Sequence, residues 1–219
     1  MSRPLLLDLF CGAGGCSVGY QRAGFDVVGV DINPQPNYPF PFHQADALDF
    51  VRDYGLHFDA IHASPPCQHY SLMQYTNGTK RDNHPALLDP VREILQRIGL
   101  PYVIENVVGA PMRYPITLCG EMFGLGVIRH RLFESNLLLL QPSHPAHRGN
   151  TRAYRHGRMY TGPYFAVYGT GGERGTLQEW RDAMDMPWCK TKQEIAEAIP
   201  PAYTQFIGEQ LIEACEVAA

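Results

Sequence analysis

No apolar run in this 219-residue chain approaches the roughly 20 residues that a membrane-spanning helix needs, and Leu137 to Leu140 is only strand-sized. The start, Met1-Ser2-Arg3-Pro4, lacks a signal-peptide pattern, because Leu5 to Leu7 give way at once to Asp8. The six cysteines, at 11, 16, 67, 119, 189 and 215, contain no Cys-x-x-Cys pair, and no cysteine–histidine spacing resembles a zinc site. Their irregular spacing also excludes a secreted disulfide framework. These absences predict a cytoplasmic protein with reduced cysteines, no membrane partner and no metal.

Acidic residues are missing from one interval altogether: none lies between Glu134 and Glu173. The formal net charge is −4, which alone argues against a nucleic-acid partner, but the charge is segregated. The acid-free interval holds Arg148, Arg152, Arg155 and Arg158, with His144, His147 and His156 among them. Such a segment is either a solvated loop or a surface for phosphates. Disorder is excluded for the chain as a whole by 45% hydrophobic and only 18% charged residues.

What is present is an alternation of strands and helices. Leu5 to Phe10 is a short continuous apolar run, as in a parallel strand covered on both faces. Gly12, Gly14 and Gly15 break it, residues 17–23 read as a helix closed by Gly24, and Phe25 to Asp31 reads as a second strand. A proline-rich turn leads to His43-Gln44-Ala45-Asp46, at the end of a third. Further strands are predicted at 58–63, stopped by Pro65-Pro66, at Tyr102-Val103-Ile104, and over 131–140. Residues 69–85 read as a long exposed loop, and 86–98 as a helix. Gly169 to Gly175 reads as a hinge, with helices at 176–185 and 202–215. The pattern predicts a doubly wound, mostly parallel α/β sheet, in which ligands bind beyond the carboxyl ends of the strands. Asp31, Cys67 and Glu105 all fall at such ends.

Phe10-Cys11-Gly12-Ala13-Gly14-Gly15 lets backbone approach a ligand closely, but it is not the dinucleotide fingerprint, because its third glycine comes too early. Asp31 stands where an acid accepts ribose hydroxyls, and Asp46 where one would meet an adenine amino group. These features suit a nucleoside without a pyrophosphate, such as S-adenosylmethionine. Downstream, Ser64-Pro65-Pro66-Cys67-Gln68 ends one strand and Glu105-Asn106-Val107 ends the next. Cysteine is intrinsically nucleophilic and easily deprotonated, which suits covalent catalysis.

The glycine loop, Pro66-Cys67-Gln68, Glu105-Asn106-Val107, Arg129-His130-Arg131-Leu132-Phe133 and Ala198-Ile199-Pro200-Pro201 occur in the order found in the C5-cytosine DNA methyltransferase family, which the chain closely resembles over about residues 4–135 and 190–213. The resemblance implies a Rossmann-like methyltransferase fold over 1–135 and 186–219, with a small target-recognition region at 136–185. It implies Cys67 as nucleophile at cytosine C6, with Pro66 beside it. Glu105 would hold the cytosine edge, Arg131 orient the base and Arg129 support the site. It assigns Asp8, Phe10, Gly12, Ala13, Gly14, Asp31, Ile32, Asp46, Ala47 and Pro65 to the cofactor, S-adenosylmethionine. Gln68, Ser71, Arg148, Arg152, Arg155 and Arg158 are assigned to nucleic acid. The implied partner of this expected monomer is duplex DNA with one base flipped out, in a bacterial or phage-infected cell.

The chain departs from the family pattern at Val127, where a glutamine is usual, at Glu197, where an asparagine is usual, and at Asn83-His84-Pro85, which replaces an Arg-Gly pair. Only about 50 residues are available for target recognition. An RNA cytosine-5 methyltransferase, a catalytically silent nucleic-acid-binding homologue and an enzyme transferring a larger group stay open as alternatives.

Overall fold

The computed structural model describes residues 2–67, 70, 86–147, 149, 151–155, 158–168 and 175–218. Seven strands form one sheet: β1 (Leu5–Leu9), β2 (Asp26–Asp31), β3 (Phe42–Gln44), β4 (Ala60–Ala63), β5 (Tyr102–Val107), β6 (Ile116–Leu118) and β7 (Arg131–Ser135). Their spatial order is β3-β2-β1-β4-β5-β7-β6. β1 to β5 are mutually parallel, and β7 runs antiparallel to both β5 and β6. The predicted doubly wound, mostly parallel sheet is therefore present.

The strands alternate in side-chain direction, and each face buries its own cluster. Leu7, Leu9, Ile61, Tyr102 and Ile104 pack with residues of α2 (Ala47–Tyr54) and α3 (Leu88–Ile98). Leu6, Val27, Ala60 and Val103 pack instead with Tyr20 of α1 (Gly15–Ala23) and with Tyr203, Ile207 and Leu211 of α6 (Pro201–Ala218). Burying one such aliphatic side chain contributes about 1.5–3 kcal/mol. α1 and α6 touch nearly backbone to backbone: a Cβ on Gly19 would lie 2.0 Å from Thr204 Oγ1.

Local chemistry sets the helix ends. Asp46 caps α2 by accepting from Leu48 N and Asp49 N, and Gly24 and Gly99 close α1 and α3 in the left-handed region. α4 (Leu177–Met184) and α5 (Lys192–Glu197) each open with a reciprocal capping box, Thr176 with Glu179 and Thr191 with Glu194.

Two expectations need correction. The strand over 131–140 stops at Ser135, because the Asn136 side chain takes over the ladder: Oδ1 accepts from Tyr102 N and Nδ2 donates to Leu100 O. Leu138 and Leu140 beyond it face solvent. The carboxyl-terminal part holds three helices rather than two; α5 was missed although Thr191-x-x-Glu194 announces it. The region at 136–185, expected as a small target-recognition region, has strands of its own. It contains β8 (Thr151–Arg155), β9 (Arg158–Tyr160) and β10 (Tyr164–Phe165), in the order β10-β8-β9. This small sheet meets the main body where Phe165 bridges to Val127. No helix among the described residues is long and apolar enough to cross a membrane.

Candidate active site

Strand order reverses between β1 and β4: from β1 the chain winds outward to β2 and β3, and from β4 outward to β5. Their carboxyl ends therefore splay apart and leave a crevice, the usual place for a ligand in such sheets. Leu9 is level with Val30 and Ala63, and Ala63 with Ile104. That register brings the glycine loop, Asp31, the Ser64–Cys67 segment and Glu105 to one rim.

The glycine loop leaves β1 at Phe10, which itself adopts φ +60°. Gly12 follows at φ +49°, donates its N–H to Asp31 Oδ2 at 3.1 Å, and has open space where a Cβ would stand. Gly14, at φ +84°, packs against Tyr38 and Pro39. Ala13 is buried, and its carbonyl accepts from Trp188 Nε1 at 2.8 Å. Asp31 also accepts from Asn33 N at 2.9 Å, and the neighbouring Ile32 is 64% exposed. Asp46 reaches the same rim, with Oδ1 committed to capping α2, whereas Ala47 is in the core. Asp8 is fully buried under the loop. Its Oδ2 accepts from Ser17, Oδ1 has no hydrogen-bond partner, and burial pushes its pKa up to about 7. The tail segment closes over the loop: the carbonyl of Ile199 lies 2.1 Å from where a Cβ of Gly15 would be.

On the other side of the crevice, Ser64 N still pairs with Leu9 O at 3.1 Å, so β1 holds the segment that ends in Cys67. Asn106, fully buried at the end of β5, donates Nδ2 to the carbonyl of Pro65 at 3.1 Å. Pro65 and Pro66 then stiffen the approach, and Cys67 O accepts from Tyr70 N in a turn. Cys67 is half-buried, and Gln68 and Ser71 lie outside the described residues.

Glu105 is 5% exposed. Arg131 Nε stands 3.1 Å from Glu105 Oε1, but that oxygen receives no well-aligned hydrogen bond, so its partner is charge rather than a directed N–H. Burial raises the Glu105 pKa, while Arg131, Arg129 and the Ser64 hydroxyl hold it down. Burial also raises the Cys67 pKa, the Glu105 charge adds to it, and Arg131 and Arg129 oppose it. Burial of the sulfur and the carboxylate beside it thus work against charging the thiol, and the two guanidiniums work for it.

Arg129 behaves differently from Arg131. It is buried, and its Nη1 and Nη2 donate to Val167 O at 2.6 Å and Ala196 O at 2.7 Å. It joins the segment after β10 to the end of α5, while Tyr203 Oη donates to its carbonyl at 2.6 Å. Burial and Arg131 lower its pKa to about 9, so it stays charged at neutral pH. Arg152 and Arg155 lie in β8 and Arg158 in β9; Arg148 is outside the described residues.

Sequence reasoning missed two residues of the site and one cluster outside it. Asn106 was quoted without a role. His62, fully buried in β4, connects Tyr20 Oη (2.9 Å from Nδ1) to Ser64 Oγ (2.8 Å from Nε2), and burial lowers its pKa to about 3. Period-two alternation put His62 on the same face as Asp8 and Glu105, which was the available signal. A separate group, Cys119, His130, His144 and His147, also converges, with ligand atoms within 4.8 Å of one another. Spacing did not reveal it, because its members come from three separate pieces of backbone.

Residues 5–111 match the model of the family described as C-5 cytosine-specific DNA methylase. The chain is 33% identical over 115 residues to Type II methyltransferase M.HgiGI of Herpetosiphon aurantiacus, covering 46% of this chain and 88% of that protein. It is 30% identical over 115 residues to Type II methyltransferase M.AplI of Arthrospira platensis, covering 49% of this chain but 32% of that protein. Type II methyltransferase M.XorII of Xanthomonas oryzae pv. oryzae is 31% identical over 125 residues, 50% of this chain and 29% of its own. The matches thus span about a third of those two relatives. Among solved structures, the methyltransferase EhMeth of Entamoeba histolytica superimposes with a TM-score of 0.63 at 15% identity, covering 98% of this chain and 99% of its own. The S. pombe Dnmt2 methyltransferase does so with a TM-score of 0.63 at 14% identity, covering 97% and 99%. These two likenesses concern the fold.

Proposed function

The chain belongs to the C-5 cytosine-specific DNA methylase family, and from that premise we propose that it transfers a methyl group to carbon 5 of cytosine in duplex DNA, with Cys67 as the nucleophile. The observation that carries the reading is the meeting of Cys67, Glu105 and Arg131 at the same sheet edge as the glycine loop.

S-adenosylmethionine, when bound, would supply an electrophilic methyl carbon. The residues at the rim of β1 to β3 fit its nucleoside: open space over Gly12, the Asp31 carboxylate, the exposed apolar Ile32 and the second oxygen of Asp46. Phe10, Pro65 and the buried Asp8 frame that space, Ala13 and Gly14 shape the loop, and Ala47 backs it from the core.

Carbon 5 of cytosine is a poor nucleophile. The Cys67 thiol gives up its proton to water, Sγ adds to carbon 6, and the electrons of the C5–C6 double bond move onto carbon 5 and the ring. Glu105, whose carboxyl pKa is raised by burial, holds N3 and the exocyclic amino group where charge develops. Arg131 fixes Glu105 and the base, while Arg129 braces the wall behind them. Once carbon 5 carries the methyl group, water takes its proton, the electrons of that C–H bond restore the C5–C6 double bond, and the Sγ–C6 pair returns to sulfur. The base must leave the duplex for this, so flipping belongs to the proposal. Residues 136–185 form the proposed recognition region, with Arg148, Arg152, Arg155 and Arg158 on phosphates and Gln68 and Ser71 near the flipped base.

The test is labelled-methyl transfer to duplex DNA and to tRNA by wild type and Cys67→Ala. Transfer to DNA that vanishes with Cys67→Ala, together with a covalent adduct on 5-fluorocytosine DNA, is expected. Transfer surviving the substitution overturns the mechanism, and transfer to tRNA alone moves the substrate to RNA. Neutralising Arg152, Arg155 and Arg158 should flatten the salt dependence of DNA binding; an unchanged slope removes them from the interface.

A further inference from the structure

Cys119, His130, His144 and His147 do not belong to the crevice. Cys119 is fully buried and precedes the short turn Gly120–Phe123. His130 stands between Arg129 and Arg131, at the entry to β7. His144 and His147 lie on the exposed segment between β7 and β8. All four ligand atoms nevertheless fall within 4.8 Å of one another.

The three imidazoles meet through the same kind of atom. His130 Nε2 is 3.0 Å from His144 Nε2 and 3.2 Å from His147 Nε2. The outer nitrogens fix the tautomers. His144 Nδ1 faces the carbonyl of Pro145 at 2.8 Å, and His147 Nδ1 faces the Glu121 carboxylate. Both partners only accept, so each Nδ1 is the donor in these bonds, and each Nε2 is left facing the centre of the cluster. His130 Nε2 thus faces both of the other Nε2 atoms at hydrogen-bonding distance.

A metal ion at their centre would account for this convergence. Tetrahedral zinc with ordinary Zn–N bonds separates two nitrogen ligands by about 3.3 Å, close to the observed spacings. The surroundings are those of a ligand set. Glu121 backs His147 as a carboxylate behind a metal-bound imidazole does, and Tyr164 Oη donates to Glu121 Oε1 at 2.6 Å. The turn that presents Cys119 is closed by Met122 N, which donates to Cys119 O at 3.0 Å. One thiolate and three imidazoles select zinc among common cations, and four protein ligands leave no open position, so the role is structural rather than catalytic.

We propose that Cys119, His130, His144 and His147 form a zinc site that fastens the approach to the recognition region onto the catalytic body. Its reach into the active site is short, because His130 is flanked by Arg129 and Arg131, and Arg131 Nη1 donates to the His130 carbonyl at 2.8 Å. His144 and His147 act as ligands, not as part of a phosphate-binding surface.

The experiment is metal analysis of the full chain, whose readout is independent of methyl transfer, so that failure of the catalytic reading leaves this one standing. Wild-type protein should hold about one zinc per chain after gel filtration. Cobalt exchanged into it should give tetrahedral ligand-field bands and a thiolate charge-transfer band that disappears in Cys119→Ser but not in Cys215→Ser. His144→Ala, on the exposed segment, should lose zinc while keeping its circular dichroism, and His57→Ala should keep zinc. Glu121→Gln should weaken zinc affinity by roughly 10–100-fold in competition with a chelating dye. Wild type with no bound zinc and no competition with the dye overturns the proposal, as does full zinc content in both Cys119→Ser and His144→Ala.

Discussion

Asn106 Nδ2 donates to the carbonyl of Pro65 at 3.1 Å, joining the end of β5 to the segment that carries Cys67. The same side chain returns Oδ1 to Val107 N at 2.9 Å, so one buried amide fixes both the catalytic loop and the exit of the strand that holds Glu105. Removing it leaves a buried carbonyl without its partner, at a cost of about 1–3 kcal/mol. Asn106→Ala should lower the unfolding free energy by that amount. It should also depress kcat of methyl transfer by at least tenfold, with cofactor affinity little changed, because the glycine loop lies across the crevice. Stopped assays paired with cofactor titration by calorimetry separate these effects; a loss confined to cofactor affinity would count against the positioning role.

The thiol of Cys67 should react sluggishly in the free protein. Burial and the Glu105 charge raise its pKa, and Arg131 and Arg129 only partly offset them. Each unit of upward shift removes about tenfold of the thiolate at neutral pH. Iodoacetamide labelling of Cys67, followed by peptide mass spectrometry, should therefore be slower at pH 7 than labelling of free cysteine, with a midpoint displaced to higher pH. Glu105→Gln removes an anionic neighbour and should speed labelling while it abolishes transfer. A midpoint below that of free cysteine would show a preformed thiolate and sink this account.

The ion pair of Arg92 and Glu134 tests stability away from the chemistry. Both are buried, with Nε donating to Oε1 at 2.6 Å and Nη2 to Oε2 at 2.9 Å, and Arg92 also bonds Asp89 and Pro111 O. Glu134 Oε2 accepts from Arg113 N at 2.7 Å as well, so the pair ties α3 to β7 and to the loop before β6. Removing one partner strands a buried charge, which costs about 3–5 kcal/mol. Urea denaturation of Arg92→Met and of Glu134→Gln should each show a loss of that order, and the double variant should lose less than the sum. Additive losses would mean that the two residues do not act as a pair.

How far the sequence could carry this reading differs from residue to residue. The central strands were readable because a parallel sheet covered on both faces demands continuous apolar runs, and Leu5 to Leu9 supplies one. Asp31 and Glu105 were readable because strand ends in such a sheet share one rim. The extent of β7 was not, since Leu137 to Leu140 looks like more strand and only the Asn136 side chain, bonded to residues about thirty-five positions away, shows where the ladder ends. The thiol's resistance to deprotonation was hidden for a similar reason: it depends on burial and on a carboxylate brought in from another strand. The cysteine–histidine cluster was invisible because its spacing follows the path of the fold, not a local motif.

Two buried titratable groups give the fold opposing responses to acid. His62 has its pKa lowered from 6.5 to about 3 by burial. Between those values the unfolded chain takes up a proton that the folded chain refuses, so its contribution to stability is full above 6.5 and falls as the pH drops. Asp8 has its pKa raised from 3.8 to about 7, chiefly by burial. Between those values the folded chain keeps a proton that the unfolded chain has released, so its contribution falls as the pH rises. From about pH 4 to 6.5 the two slopes oppose each other, each up to about 1.4 kcal/mol per pH unit. Relative to wild type, Asp8→Asn leaves His62 unopposed and should become less stable on acidification through that window. His62→Gln leaves Asp8 unopposed and should become more stable over the same window. Denaturation midpoints measured at half-unit steps of pH, taken as differences from wild type so that all other groups cancel, should diverge with opposite signs; parallel curves for the two variants would mean that these buried groups do not titrate as their burial requires.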